Sequence, residues 1–174
     1  MIIASDAGAD PKFEMANLAN LQRKARIDLG VNIELNLSDL RPVPENKGYT
    51  KAYFVKGTIT YPEDENGKKQ TGTLFYIKTT MVGNEPEDLL AYRSANPTFP
   101  DETTADQFFN EDQFESYRKL GELAGEHLCD KVHNTSNSQA EINVFLAEYI
   151  DLLLSRNQRL VRVIFDARGY KRGC

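Results

Sequence analysis

The sequence predicts an α/β or α+β chain, with a strand-helix unit at the start, antiparallel strands that include a long β-hairpin, and a helical C-terminal half. Three observations carry this reading. The apolar run Ile2-Ile3-Ala4 stops at Ser5-Asp6-Ala7-Gly8 and gives way to helical periodicity, as a buried strand feeding a loop and helix does. Two β-rich runs, Tyr53 to Tyr61 and Thr73 to Thr80, flank a polar link that holds Asn66-Gly67, a strong short-range hairpin signal. From Glu111 onward, Phe114, Tyr117, Leu120, Ala124 and Leu128 recur at helical spacing and make one apolar stripe.

In chain order, Asp10-Pro11 reads as an N-cap with proline at the first helical position. The helix it starts shows Phe13, Leu18, Leu21, Ala25 and Leu29 on one side, carries Arg23, Lys24 and Arg26 near its end, and stops at Gly30. Ligands of α/β sheets gather at the carboxyl ends of strands, which offers Asp6 and Asp10 as site-edge carboxylates. Cap chemistry already accounts for Asp10.

Val31, Ile33, Leu35 and Leu37 alternate with polar residues over Val31 to Leu37, the period of a half-buried strand. Leu40 to Gly48 is a proline-containing loop. Within the hairpin, Lys56 and Lys78 read as polar members of adjoining strands, and Lys68-Lys69 as a solvated tip. Glu85-Pro86-Glu87-Asp88 opens a short helix with Leu89, Leu90 and Tyr92, its acids at the positive end of the helix dipole. Pro97 and Pro100 hold the next stretch extended, and Thr103 or Thr104 caps a short turn that carries Phe108 and Phe109.

Asp101, Glu102, Asp106, Glu111, Asp112 and Glu115 form an acidic run without a basic residue, but no Asp-x-Asp-x-Asp-Gly loop accompanies them, so a solvated surface is expected in place of a calcium site. His127, Cys129, Asp130 and His133 lie on the predicted helix, yet they offer too few thiol or imidazole ligands at defined spacing for zinc. No metal and no cofactor are therefore expected.

Beyond a polar break at Asn134 to Ser138, Ser138 and Glu141 make a capping box. Ile142, Phe145, Leu146, Tyr149, Ile150 and Leu153 follow as an amphipathic helix. Arg156, Arg159, Arg162, Arg168, Lys171 and Arg172 then make a basic end suited to packing on the core or to an anionic lipid surface.

With 174 residues, 40% hydrophobic and 27% charged, the chain suits one domain or a large part of a bigger one. Its net charge of −5 argues against nucleic acid as a partner. Cys129 and Cys174 are too few for a disulfide framework, and the N-terminus has neither a basic region nor a signal-length apolar run. A cytoplasmic location, peripheral to a membrane if the basic end engages lipid, is the expectation.

Several words of the sequence point to a family. Thr104-Ala105-Asp106-Gln107-Phe108-Phe109 and Gln113-Phe114-Glu115-Ser116-Tyr117-Arg118 closely resemble the C-terminal part of bacterial patatin-like phospholipases. Ser5 to Pro11, Arg26 to Gly30, Thr73 to Lys78 and Gly83 to Pro86 resemble segments of the same group in the same order. The resemblance runs from about Ile2 to about Leu128 and marks residues 1–133 as the C-terminal part of a patatin-like domain, with 134–174 of unrecognised type.

The resemblance implies a hydrolase of lipid metabolism that cleaves ester bonds with a serine and an aspartate. Its Gly-x-Ser-x-Gly elbow, Asp-Gly-Gly or Asp-Gly-Ala turn and glycine-rich oxyanion loop are not in this sequence. Asp6-Ala7-Gly8 aligns with the family's next strand, and Ser5, Ser38, Ser94, Ser116, Ser136, Ser138 and Ser155 lack flanking glycines. No catalytic residue is assigned.

The expected function is that of a non-catalytic C-terminal fragment, inactive alone, whose strand edge beside Ile2 to Ala4 pairs with a catalytic half or with itself. The alternative is a stand-alone scaffold or regulatory module that docks a partner or an anionic lipid surface through the basic end.

Overall fold

The structure, a computed structural model, describes residues 1–103 and 108–135. It divides into two compact units, Met1–Gly125 and Glu126–Cys174, and the architecture that follows is that of the first. Its elements are β1 (Ile2–Asp6), α1 (Ala16–Leu29), β2 (Asn32–Leu35), β3 (Phe54–Glu63), β4 (Lys69–Lys78), α2 (Glu87–Ala95) and the part of α3 (Glu111–Thr135) that lies before Glu126.

The four strands form one mixed sheet in the order β1-β4-β3-β2. β3 and β4 are the expected hairpin, in register from Phe54 opposite Ile77 to Thr60 opposite Thr71, with an irregularity before Glu63 meets Lys69. Asp64 builds the turn: its Oδ1 accepts the N–H groups of Asn66 and Lys68, each at 2.9 Å. Gly67 takes the left-handed backbone that the turn requires, at φ 73°. Lys68 and Lys69 are solvated at this tip, Lys69 lying 3.6 Å from Glu63.

β2 runs antiparallel to β3, with Leu35 opposite Gly57. A Cβ at Gly57 would run into the Glu34 carbonyl oxygen and the Leu35 side chain, so glycine lets the two strands meet there. β1 runs parallel to β4, from Ile2 opposite Leu74 to Asp6 opposite Lys78, and its other edge is unpaired among the described residues.

Side-chain alternation gives each sheet face its own core. On one, Val55 and Tyr76 pack with Met15 and Leu18 at the start of α1 and with Leu40, joined by the half-buried Ala4, Phe13, Leu35 and Leu37. On the other, Phe54 and Ile77 meet Tyr53, Met81, Leu89, Phe99, Leu120 and Ala124. Phe99 is wholly buried and takes Tyr92 and Tyr117 edge-on, with ring centroids 5.1 and 4.8 Å away.

Several boundaries differ from the sequence expectation for local reasons. α1 starts at Ala16, not at Pro11, because Phe13 and Met15 both have positive φ and the chain from Asp10 to Phe13 closes as a turn. Asp10 still acts as a cap at a distance: its carboxylate accepts the N–H groups of Glu14 at 2.9 Å and Met15 at 2.8 Å. Leu21 and Leu29 are exposed, since the sheet takes only the narrow Leu18–Ala25 side of α1.

β2 ends at Leu35 because the Asn36 side chain accepts the Ser38 N–H and leads into a 3-10 turn at Ser38–Leu40. Phe108 and Phe109 lie outside any helix and are exposed, and Phe114 is exposed at the start of α3. Asn110 caps α3 through the Gln113 N–H at 2.8 Å. Asn134 and Thr135, expected as the start of a polar break, are instead the last residues of α3. Thr104, Asp106, the rest of that break, the amphipathic helix expected from Ser138 and the basic end from Arg156 to Arg172 lie outside the described residues.

Candidate functional site

The parallel pair β1 and β4 ends on Asp6 and Lys78, which face each other in register. Period-two alternation puts Lys78 on the same face as Leu74 and Tyr76, so the lysine expected as a polar strand member is instead buried at 1% exposure, whereas Lys56 is exposed. Its ammonium lies 3.8 Å from Asp6 Oδ1 and donates to the Gly8 carbonyl at 2.5 Å.

Asp6 holds the cluster together. Its Oδ2 accepts the Tyr76 hydroxyl at 2.6 Å and its Oδ1 the Gly8 N–H at 2.9 Å. Burial pushes the Tyr76 hydroxyl well above its ordinary value, and the hydrogen bond and negative charge of Asp6 push it further. A carboxylate with both oxygens engaged and a buried cation beside it is arranged to fix the strand ends.

A second carboxylate pair lies in the loops that follow. The Asp10 N–H donates to Asp101 Oδ1 at 2.6 Å, tying the β1–α1 loop to the segment after α2. Glu102 continues the join, accepting the Tyr92 hydroxyl at 3.3 Å and the Gln113 amide at 3.2 Å, while its own N–H reaches the Tyr117 oxygen at 3.2 Å. Burial pushes the Tyr117 hydroxyl up to about 12, with the Glu102 N–H working against the shift and the Glu102 carboxylate with it. Two acids of the run thus serve as hydrogen-bond acceptors within the fold.

Glu85, which sequence reading placed only as part of a helix start, is buried and fully used. It accepts the Tyr53 hydroxyl at 2.8 Å and the N–H groups of Val82 at 2.6 Å and Gly83 at 2.9 Å. Nothing in the local sequence marks Tyr53 as its partner, because they are 32 residues apart and meet only through the tertiary fold.

Between these clusters lies a cleft of about 380 Å³, walled by the loops after β1, β4 and α2 and by the proline-containing loop before β3. Pro11, Phe13, Tyr49 and Met81 give it apolar surface, and Lys47, Arg93 and Asp101 give it charge. Two of these residues, Phe13 and Lys47, have positive φ. The Phe13 carbonyl is held by Arg41 Nη1 at 3.1 Å.

Other residues singled out in the sequence do not converge. No group of three or more His, Cys, Asp or Glu among the described residues could hold a metal ion. Cys129 is an exposed free thiol, His127 and Asp130 are exposed, and the His133 side chain lies outside those described. Ser116 is buried and donates to the Asp112 carbonyl at 2.7 Å, a helix back-bond. No helix among the described residues is long and apolar enough to cross a membrane. No family model, no curated protein and no solved structure matches the chain.

Proposed function

We propose that this chain is a non-catalytic C-terminal part of a patatin-like serine lipid acyl hydrolase, and that a catalytic part carrying the serine elbow, the aspartate turn and the oxyanion loop adds to the sheet at β1. The reading starts from the sequence words that resemble that family. The structural observation that supports it is the condition of β1: parallel strands are ordinarily covered on both faces, yet Ile2 and Ile3, which alternate between faces, are each 46% exposed. The strand carries no proline, lysine or bulge to discourage pairing along its edge. An added strand would cover that edge, and the elements that come with it would cover the two isoleucines.

The test has two parts. The purified chain is assayed on a short-chain p-nitrophenyl ester and on a phospholipid, and no turnover is expected, since no serine of this sequence has the flanking glycines of a nucleophile elbow. It is then mixed with a separately expressed catalytic part of a patatin-like enzyme. Complex formation that is lost in Ile3→Lys supports the reading. Turnover by the chain alone, or the absence of any complex, overturns it.

A further inference from the structure

The cleft is a second site, independent of what covers the β1 edge. Both parallel strands deliver their carboxyl ends to it: the β1 end leads through Asp6 to Pro11 and Phe13, and the β4 end leads through Lys78 to Thr80 and Met81. Ligands of sheets containing parallel strands collect at that end. Volume is sufficient as well, since about 380 Å³ falls within the range of small-molecule sites.

Charge on the walls is asymmetric. Arg93 Nη1 donates to the carbonyls of Pro97 and Phe99, which fixes the half-buried guanidinium, while its Nε and Nη2 donors meet no acceptor among the described residues. Lys47, at φ 54°, is exposed on another wall and is likewise without an ion-pair partner among those residues. A guanidinium held by carbonyls with its remaining donors open is a preorganised receptor for an oxyanion. Asp101 supplies one acceptor, its Oδ1 being taken by the Asp10 N–H.

We propose that this cleft binds a phosphate monoester, its oxygens on Arg93 and Lys47 and its organic body against Phe13, Tyr49 and Met81. A phosphate monoester carries roughly −1.5 to −2 charge near pH 7 and three acceptor oxygens, which answers two cations where a carboxylate answers one. In its singly protonated form it also donates a hydrogen bond, for which Asp101 Oδ2 is the acceptor. The left-handed backbone at Phe13 and Lys47 fits this role, because strained residues held by their surroundings concentrate at ligand sites.

Calorimetric titration of the full chain with phenyl phosphate, inorganic phosphate, and phosphatidylcholine vesicles containing phosphatidic acid tests the assignment. Phenyl phosphate should bind saturably and more tightly than inorganic phosphate. Lys47→Asn, which keeps a residue suited to positive φ, should weaken it by about tenfold or more, the worth of one hydrogen bond to a charged group. Arg93→Lys, which keeps charge but not the fork, should weaken it as well, with an unchanged circular dichroism spectrum and melting temperature showing that the fold is retained.

Vesicle binding with the same loss in Lys47→Asn identifies the phosphate as a lipid headgroup, and vesicle indifference identifies a free phosphate ester. No saturable binding of phenyl phosphate, equal affinity for inorganic phosphate, or an unchanged affinity in Lys47→Asn overturns the proposal.

Discussion

Asp6 and Lys78 close the parallel β1–β4 pair, with the lysine ammonium 3.8 Å from the aspartate and 1% of its side chain exposed. The pair is asymmetric, because Asp6 retains 18% exposure and also holds Tyr76 and Gly8. Removing the aspartate therefore strands a buried cation, whereas removing both charges does not.

Asp6→Ala should lower stability by about 3–5 kcal/mol, as breaking a buried pair from one side does. Asp6→Ala combined with Lys78→Met should recover a substantial part of that loss. Urea unfolding of the wild type, both single variants and the double variant measures the coupling, and a double variant no better than Asp6→Ala would show that the charge pair is not what matters.

Tyr53→Phe should cost about 1–2 kcal/mol, because Glu85 loses a buried donor while it keeps the Val82 and Gly83 N–H groups. The same variant tests alkaline behaviour. Burial first, and then the hydrogen bond and charge of Glu85, raise the Tyr53 hydroxyl far above its ordinary 10.0. The stabilisation linked to that raised value is fully present below about pH 10 and is lost as pH climbs toward the folded value, because the unfolded chain releases the proton first. Melting temperature against pH should fall less steeply above about pH 10 in Tyr53→Phe than in the wild type.

Gly57→Ala and Gly72→Ala are both strand substitutions in the hairpin but should differ in outcome. At Gly57 the new methyl collides with the backbone of β2, and a loss of about 2 kcal/mol or more is expected. At Gly72 it meets Tyr61 at 3.4 Å and the Ile59 Cβ at 3.8 Å, ordinary van der Waals contacts, and a change within about 1 kcal/mol is expected. Thermal denaturation of the two variants checks the contrast.

Ile3→Lys should leave the stability of the monomer within about 0.5 kcal/mol, since the wild-type side chain is 46% exposed. It should reduce concentration-dependent association, because a charge on an edge strand discourages edge pairing. Sedimentation velocity over a range of concentrations reads this directly, and identical profiles for variant and wild type would remove β1 as an association edge.

Local patterns were enough to read the hairpin, α2, the body of α3 and the existence of β1, but not the burial expected for β1, whose Ile2 and Ile3 are exposed because one strand edge and much of both faces lie uncovered among the described residues. The start of α1 was not legible: Asp10-Pro11 has the composition of a cap, but the positive φ at Phe13 and Met15 delays the helix to Ala16 while Asp10 caps from upstream. Lys78 illustrates a different limit. Alternation places it inward, yet only the parallel register with β1 supplies the aspartate that makes an inward lysine tolerable. The cleft was invisible for the same reason, since its walls come from four separate stretches of chain and its cations become a site only when the Arg93 guanidinium is fixed by carbonyls from the next loop.

The pairing of β1 also sets an order of assembly. β3 and β4 are joined by a five-residue turn and can zip locally, whereas the Asp6–Tyr76 bond that anchors β1 spans 70 residues. β1 precedes β4 in the chain, yet its parallel ladder cannot form until β4 has been made. Like β2 it has a ladder on one side only among the described residues, so these two edge strands should let go before the central hairpin, with amide protons that exchange ahead of those in β3 and β4.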